Sequence, residues 1–334
     1  MNIQGHIMAS KVTGASKISR GSESDKVVKP AKTPRLKTIR GRQTSEFTLL
    51  DPTSLIAAKH GHRDGASWII SNDDACAGLA RLPDNFVDCV VTSPPYYWQR
   101  DYGVDGQTGQ EDTVEEFVDA LVRVFSQIRR VLKPTGTAFV VLGDTYYSGK
   151  GQPQGNDPKQ VWRGVSRQKY RAVDRPGFGL PKKSLIGVPW RVALALQADG
   201  WVLRSSVVWR KSKPLAEPSV KDRPWTTTET VFVLAKTGKY YFDRKGLNGQ
   251  EDVWDIPAPS ANRRFRHAAP FPEALVERCL AAGCPKNGVV LDPYAGSGTT
   301  LAVATSRGLS SIGFELNPRY VTLTRQRLTK LEPR

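Results

Sequence analysis

The chain has 334 residues and a formal net charge of +17 at pH 7, a length that fits one large domain or two small ones. The basic excess indicates a polyanionic partner or an anionic surface. No apolar run is long enough for a membrane span, no secretory signal pattern opens the chain, and the four cysteines and four histidines lack metal-binding spacing, so neither a membrane nor a metal ion is expected.

Residues 1–45 are rich in Lys, Ser, Thr and Gly and poor in aromatic residues. Between Lys11 and Arg42 there are ten basic residues and only two acidic ones, a composition that predicts a disordered basic tail. The run from Lys29 to Lys37 is typical of a phosphate-binding arm or a nuclear import signal, and a plain solubilising tail is the alternative. Residues 46–330 are predicted to form a single domain.

A short strand at residues 68–70 and a short helix at residues 75–81 begin this domain. The strand ends at Asn72-Asp73-Asp74, and Pro83 stops the helix. An acidic residue directly before a helix is typical of an N-cap, which is one interpretation of Asp74.

The next strand starts at Phe86 and is apolar enough to be buried. It leads into Thr92-Ser93-Pro94-Pro95-Tyr96, where two prolines stop both helix and sheet and remove two backbone donors. The resulting loop offers a hydroxyl, carbonyl groups and an aromatic face. It could therefore accept hydrogen bonds from an amino group and stack on a flat ring such as a nucleobase. The alternative is a proline-rich strand exit without chemistry.

A long amphipathic helix and another buried strand follow this loop. Thr113 and Glu116 have the spacing of a capping box, and apolar residues from Val114 to Leu132 recur at helical spacing. Residues 133–136 should end the helix, and residues 137–142 have the composition of a buried strand. Strand, helix and strand in this order predict a parallel sheet.

Residues 148–183 are predicted to be an irregular, basic insert. Nine basic residues outnumber two acidic ones, and Trp162, Tyr170 and Phe178 are interleaved with them. Such a mixture suits phosphate contacts and base stacking, so we expect a DNA-contacting, target-recognition segment; a solvated loop is the alternative. The residues expected to contact DNA are Arg163, Arg167, Lys169, Arg171, Arg175, Lys182 and Lys183.

Beyond the insert, the sequence predicts one helix and two strands. The helix has Pro189 in its first turn and runs to residues 199–200. Residues 201–209 and 228–234 have strand composition and could pair antiparallel at the edge of the sheet.

A strand, glycine-rich turn, helix and second strand lie near the end of the chain. The first strand ends at Asp292, the turn contains Gly296 and Gly298, and the second strand ends at Glu315. Glycines allow close approach to a ligand, and a carboxylate at the second strand end can bind ribose hydroxyls. The third glycine of a dinucleotide site is missing, as is the lysine of a phosphate-binding loop.

Two motifs resemble known families. Thr92-Ser93-Pro94-Pro95-Tyr96 resembles the (Asp/Asn/Ser)-Pro-Pro-(Tyr/Phe) motif of the amino-methylating DNA methyltransferases, and residues 291–300 resemble the S-adenosylmethionine site of class I methyltransferases. Residues 200–204, 209–211 and 267–281 are also similar to the family. The order of catalytic motif, basic insert and cofactor motif is that of the beta class.

The resemblance covers roughly residues 67–328 and implies an α/β, Rossmann-like class I methyltransferase fold. Its sheet would be mostly parallel, with an antiparallel edge hairpin and a circularly permuted motif order. The strand before Asp74 would complete the sheet from the front, because few residues follow Glu315. Double-stranded DNA would be the partner, and a homodimer is left open.

The resemblance also implies site residues, with S-adenosyl-L-methionine as cofactor. Asp74 would hold the cofactor adenine, with Asp73 as the alternative. The cofactor-binding residues would be Asp74, Phe271, Asp292, Tyr294, Ala295, Gly296, Gly298, Thr299, Thr300 and Glu315. The catalytic residues would be Ser93, Pro94, Pro95 and Tyr96.

The implied reaction is a direct attack by the exocyclic amine of a flipped base on the sulfonium methyl group. Ser at the first motif position is more often linked to cytosine N4, and Tyr97 and Trp98 could narrow the pocket for the smaller ring. Cytosine N4 is therefore predicted, with adenine N6 as the alternative. An inactive DNA-binding module is the alternative of another class, against which the intact motifs argue.

Overall fold

The computed structural model of the chain describes residues 59–63, 66–151, 171–212, 217, 219–258 and 271–331, with the backbone alone for 59–63. The predicted tail lies outside the described residues, as do residues 267–270 of the segment that resembles the family. Three residues expected to contact DNA also lie outside them, namely Arg163, Arg167 and Lys169.

Nine strands and six α-helices make up the described part of the chain. The strands are β1 (Lys59–Arg63), β2 (Ala66–Asn72), β3 (Val87–Thr92), β4 (Leu132–Leu142), β5 (Val202–Arg210), β6 (Thr228–Ala235), β7 (Val253–Asp255), β8 (Val289–Asp292) and β9 (Ser310–Glu315). The helices are α1 (Ala75–Ala80), α2 (Val114–Val131), α3 (Val188–Ala198), α4 (Glu273–Gly283), α5 (Thr299–Ser306) and α6 (Pro318–Thr329).

All nine strands form one sheet in the order β1-β2-β9-β8-β3-β4-β6-β5-β7. The five neighbouring strands β2, β9, β8, β3 and β4 run parallel. In contrast, β1 is antiparallel to β2, β6 is antiparallel to β4, and β5 is antiparallel to β6. From β3 the chain leads to β4 on one side, and from β8 it leads to β9 on the other side. The position between β8 and β3 is therefore the topological switch point, where α/β sheets bind ligands. The predicted permuted, mostly parallel fold is confirmed.

Helices cover both faces of the sheet because its central strands alternate their side chains between two apolar cores. On one face, Val90 and Val140 pack with α1, α2 and α3. On the other, Val91 and Val141 pack with α4 and α5. A smaller cluster joins β2 to α5 and α6. This three-layer packing holds the strand ends, and the loops that follow them, in fixed positions.

Several local predictions are confirmed in detail. Thr113 and Glu116 form the capping box of α2, and seven apolar residues at helical spacing from Val114 to Val131 are buried. The strand before Asp74 completes the sheet by pairing in parallel with β9. The predicted strand ending at Asp292 has the predicted bounds, and Pro189 lies in the first turn of α3.

Other elements differ from the expectation. The strand β4 begins directly after α2, at Leu132, but its register against β3 shifts before regular pairing resumes at Thr137. Residues 133–136 therefore form an irregularity within a strand rather than a separate turn. The predicted β5–β6 hairpin pairs antiparallel, and the three-residue β7 adds to its outer side. No described helix is both long and apolar enough to cross a membrane.

Candidate active site

The motifs found in the sequence meet at one edge of the sheet. The parallel strands β2, β9, β8, β3 and β4 all end there. Because β6 is antiparallel to β4 and β5 to β6, β6 begins and β5 ends at the same edge. Loops from seven strands therefore surround the switch point, which is where a ligand site is expected in this architecture.

Asp292, the last residue of β8, joins the glycine turn to the strand before Ser93. Its Oδ1 accepts hydrogen bonds from the Thr92 hydroxyl at 2.7 Å and the Tyr294 amide at 3.1 Å. Its Oδ2 accepts one from the Thr300 hydroxyl at 2.8 Å. Burial raises the pKa of the Asp292 carboxyl to about 6, although these hydrogen bonds oppose the shift. The Asp292 carboxylate thus links the predicted cofactor-binding turn to the strand that leads into the predicted catalytic loop.

The turn after β8 requires its glycines. Gly296 and Gly298 have left-handed φ angles of 53° and 73°. A Cβ on Gly298 would lie 2.4 Å from the Thr324 Cγ2, so the turn packs tightly on α6. A side chain at Gly298 would therefore prevent this packing, and the left-handed φ angles favour glycine at both positions.

Glu315 ends β9 and faces the same turn. Its Oε2 accepts the Gly296 amide at 2.8 Å, and its Oε1 accepts the Asn317 amide at 2.7 Å. Burial raises the pKa of the Glu315 carboxyl to about 7, against the effect of these two amides. Each carboxylate oxygen has a second lone pair, so Glu315 is suited to accept hydroxyl groups.

Asp74 caps α1 at the end of β2. Its Oδ1 accepts the amides of Cys76 and Ala77 at 2.9 and 3.2 Å. The side chain is exposed and its other oxygen makes neither of these bonds, so the capping role and a contact to an amino group are compatible. Asp73, the alternative, forms an ion pair with Arg81 and accepts the Ser71 hydroxyl at 2.5 Å.

The remaining predicted cofactor residues lie around the turn. Ala295 and Thr299 are buried, whereas Tyr294 is partly exposed. Phe271, just before α4, is partly buried against the core under that helix. These positions bring the predicted cofactor set to one place, apart from Asp74 at the neighbouring strand end.

Ser93 and Tyr96 lie in the loop after β3. The Ser93 Oγ is 3.3 Å from the Val141 carbonyl oxygen and 3.4 Å from the Tyr96 hydroxyl. The Tyr96 hydroxyl donates to the Glu229 Oε2 at 2.7 Å, and the Lys211 Nζ donates to the Glu229 Oε1 at 2.5 Å. Burial, and next the Glu229 charge, raise the pKa of Tyr96 well above its usual value, so its hydroxyl stays protonated.

The Tyr96 ring is held close to the end of β4. A Cβ on Gly143 would lie 2.5 Å from the Tyr96 Cε2, so only glycine permits this approach. Two residues further on, Trp98 has a φ of 53°, which is unusual for a bulky side chain. Such strain persists only where surrounding contacts enforce it, and it is common in functional loops.

Tyr97 and Trp98 point into the protein core instead of a pocket. They are 1% and 5% exposed. The Tyr97 ring packs on Phe117 with centroids 5.3 Å apart, and the Trp98 indole donates to the Glu111 carbonyl at 2.8 Å. The expectation that these two residues narrow a base pocket therefore finds no support, and it no longer counts in favour of the smaller ring.

The described part of the basic insert packs against the domain. Asp174 is fully buried and accepts hydrogen bonds from the Arg171 guanidinium at 2.7 and 3.0 Å and from the Ser148 hydroxyl at 2.5 Å. Phe178 stacks on Tyr147 at 4.9 Å between centroids. Arg171 and Phe178 thus have partners within the protein that hold residues 171–178 in place.

Three further basic residues of the insert are exposed. Arg175 pairs with Asp112, and Lys183 pairs with Asp222 at 2.6 Å with both side chains more than half exposed. Lys182 is also exposed. Exposed ion pairs contribute little to stability, so a phosphate group could replace either acidic partner at small cost.

Some supporting residues were not predicted from the sequence. On α6, the Thr324 hydroxyl donates to the Gly296 carbonyl at 2.9 Å, and Arg327 donates to the Ser297 carbonyl at 3.2 Å. The buried residues of α6 recur at helical spacing after Asn317-Pro318, a capping signal that could have revealed the helix. Glu229 gave no such signal, because its role depends on strand pairing.

The described side chains include no group of three His, Cys, Asp or Glu residues that could hold a metal ion. What the site offers is a neutral hydroxyl, carbonyl groups and a fixed aromatic ring beside a glycine turn with carboxylates. This arrangement can bind a nucleoside-like cofactor and position an amino group on a flat ring next to it.

Comparison with protein families gives a match to a family model described as DNA methylase, of the N6/N4 methyltransferases, over residues 87–326. Among curated proteins, type II methyltransferase M.Cfr9I of Citrobacter freundii is 42% identical over 265 residues, covering 76% of this chain and 85% of the relative. Type II methyltransferase M.SmaI of Serratia marcescens is 40% identical over 272 residues, covering 77% and 89%.

Solved structures also match. PvuII DNA methyltransferase, titled cytosine-N4-specific, has a TM-score of 0.60 and 22% identity, covering 78% of this chain and 86% of that chain. A protein of Thermus thermophilus, titled a DNA modification methylase complexed with S-adenosyl-L-methionine, has a TM-score of 0.56 and 26% identity, covering 82% and 95%. At 22% identity, the likeness to PvuII DNA methyltransferase concerns the fold alone.

Proposed function

The chain belongs to the N6/N4 family of DNA methylases, and we propose that it methylates the exocyclic N4 of cytosine in double-stranded DNA. It is an S-adenosylmethionine-dependent DNA methyltransferase. The observation that supports methyl transfer at this site is the Thr92–Asp292 hydrogen bond, which links the strand before Ser93-Pro94-Pro95-Tyr96 to the strand before the glycine turn. We also infer from its relatives a place in a restriction-modification system.

The residues of the turn fit the cofactor. Glu315 presents a carboxylate suited to ribose hydroxyls, Gly296 and Gly298 adopt the left-handed backbone of the turn, and Asp74 keeps an oxygen for the adenine amino group. Phe271 and the buried residues around Thr300 would enclose the rest. When bound, S-adenosyl-L-methionine supplies an electrophilic methyl group.

The chain's own contribution is positioning. A base flipped from the duplex would stack on Tyr96. Ser93 Oγ and the Pro94 carbonyl would accept hydrogens from its exocyclic amine, which orients the nitrogen lone pair toward the turn. The Pro95 ring stiffens the loop, since proline fixes its own φ angle. No covalent nucleophile is required.

The choice of cytosine N4 rests on Ser93, the first residue of the motif, which in the family resemblance is more often linked to that product. No described contact favours adenine N6 over it. Digestion of methylated DNA to nucleosides decides between them, with N4-methylcytosine expected and N6-methyladenine overturning the base assignment.

DNA affinity is expected to depend on the exposed lysines of the insert. Replacing Lys182 and Lys183 by glutamine should weaken DNA binding, and the slope of log affinity against log salt should become shallower by about 1 for each phosphate that is no longer neutralised. The measurement is fluorescence anisotropy with labelled duplex over a salt series.

Lys239 and Lys245 provide the matched control for that pair. Both are exposed, and Lys239 lies near the start of β4, at the opposite edge of the sheet. Replacing these two by glutamine removes the same charge and should leave the slope nearly unchanged. Equal slopes for both double variants would show that the insert makes no specific phosphate contact.

The tail over residues 1–45 is proposed as a second, non-specific DNA-binding arm.

Cofactor affinity is expected to rise with pH around neutrality. With the pKa of Glu315 near 7, the carboxylate that accepts ribose hydroxyls is mostly protonated at pH 6 and mostly ionised at pH 8. S-adenosyl-L-methionine should therefore bind up to about 10-fold more weakly at pH 6 than at pH 8. Calorimetry at both values tests this, and Glu315→Gln should show a much flatter profile. The same steep profile in Glu315→Gln would contradict it.

A further inference from the structure

A chain of contacts leads from the Tyr96 ring to two side chains outside the catalytic motif and the cofactor motif, Glu229 and Lys211. The Tyr96 hydroxyl donates to Glu229 at 2.7 Å, and Lys211 donates to the other oxygen of the same carboxylate at 2.5 Å. Glu229 lies at the start of β6 and Lys211 directly after β5. Both come from the antiparallel hairpin, whereas Tyr96 comes from the parallel half of the sheet.

These groups are withdrawn from water at some cost. The Glu229 and Lys211 side chains are 15% and 21% exposed, so their charges lose much of their hydration. One oxygen of the Glu229 carboxylate accepts the Tyr96 hydroxyl, and the other accepts the Lys211 ammonium group. Lys211 also lies 5.3 Å from the Trp209 ring centroid, which helps to fix its ammonium group. The pair is therefore a defined structure, unlike the exposed ion pairs elsewhere on the surface.

The ring of Tyr96 is constrained at two separate points. Gly143 allows one edge of the ring to approach the end of β4, and Glu229 holds the hydroxyl at the tip of the ring. A tyrosine fixed only by packing at its edge could still turn about its side-chain torsions. A hydrogen bond to a charged acceptor removes that freedom, because such bonds are short and directional.

We propose that Glu229, held by Lys211, is a positioning residue that orients the Tyr96 ring as the stacking platform for the target base. The inference rests on the proposed function, in which Tyr96 stacks on the flipped base. Glu229 acts only through the Tyr96 hydroxyl and does not touch the substrate. The β5–β6 hairpin thereby supports catalysis without supplying a residue of the catalytic motif or the cofactor motif.

A double-mutant cycle tests this inference on the full chain. The variants are Tyr96→Phe, Glu229→Ala and the combination of both, assayed for kcat and for KM with unmethylated duplex DNA. Each single change should lower kcat about 10-fold, the loss typical of one hydrogen bond to a charged group, and the double variant should be no slower than either. Glu229→Gln keeps an acceptor oxygen and should recover most of the activity.

Controls separate positioning from folding. S-adenosyl-L-methionine affinity should stay unchanged in all these variants, since Glu229 has no described contact with the glycine turn. Glu251→Ala is the matched control, because Glu251 is a carboxylate paired with Arg244 where both side chains are well exposed. It should leave kcat unaltered.

Two outcomes overturn the inference. In one, Glu229→Ala slows the Tyr96→Phe enzyme as much as it slows the wild type, so Glu229 does not act through the hydroxyl. In the other, Tyr96→Phe is fully active, so the hydroxyl contact has no role. Failure of the proposed function looks different, because Tyr96→Ala would then be fully active as well.

Discussion

Tyr96→Ala is expected to lower kcat at least about 100-fold while S-adenosyl-L-methionine binds as it does to the wild type. The substitution removes the aromatic face on which we propose the base stacks, whereas the glycine turn makes no described contact with this ring. Ser93→Ala should have a similar effect, because it removes the acceptor proposed for the exocyclic amine. Both residues would therefore affect chemistry and base capture but not the cofactor.

The measurement pairs methyl transfer from labelled cofactor with calorimetric cofactor titration on the same preparations. Tyr97→Phe is the control for the neighbouring residue, since the buried Tyr97 hydroxyl has no hydrogen-bond partner among the described residues. It should be fully active. Wild-type turnover in both Ser93→Ala and Tyr96→Ala would remove this loop from the active site.

Asp292→Ala is expected to reduce cofactor affinity at least about 100-fold, beyond the reach of ordinary titration. The substitution takes away the acceptor shared by Thr92, Thr300 and the Tyr294 amide. The Thr300 hydroxyl keeps the Val91 carbonyl as an acceptor, whereas the Thr92 hydroxyl and the Tyr294 amide lose the acceptor described for them. The turn loses its shape and the link to the catalytic loop. The folded state should also lose stability, as buried donors without partners cost free energy.

Asp88→Ala shows how much of that effect is loss of stability alone. Asp88 is a part-buried carboxylate on β3 that accepts the Val289 amide at 2.9 Å and pairs with Lys133. It therefore links β3 to β8 as Asp292 does, but at the opposite end of both strands. We expect Asp88→Ala to lower the melting temperature and leave cofactor affinity intact. Unchanged affinity in Asp292→Ala would contradict the assignment of the turn.

Local signals in the sequence were sufficient for the parts of the fold that short segments determine. The capping box at Thr113 and the apolar periodicity of α2 act within a few residues. The Asp292-to-Glu315 unit likewise combines strand, turn and helix in one continuous stretch. The few residues after Glu315 also predicted that the strand before Asp74 completes the sheet, and the structure pairs that strand, β2, with β9.

Contacts between segments far apart in the chain could not be predicted from the sequence. The partnership of Tyr96 with Glu229 spans 133 residues and depends on the register of β6 against β4. The inward turn of Tyr97 and Trp98 depends on a strained φ angle that no pattern announces. The three residues of β7 are too few to show alternation. Such features follow from tertiary packing, which overrides local preference.

The chemical identity of the methylated nucleoside decides whether the chain transfers a methyl group to cytosine N4. The full chain is incubated with unmethylated duplex DNA and S-adenosyl-L-methionine carrying a deuterated methyl group, and the DNA is digested to nucleosides for mass spectrometry against synthetic standards. We expect one labelled product, N4-methyldeoxycytidine, and a far lower yield of it with Ser93→Ala. Labelled N6-methyldeoxyadenosine would refute the base assignment and leave the catalytic loop standing. A label on carbon 5 of cytosine, or none in DNA, would contradict the mechanism itself.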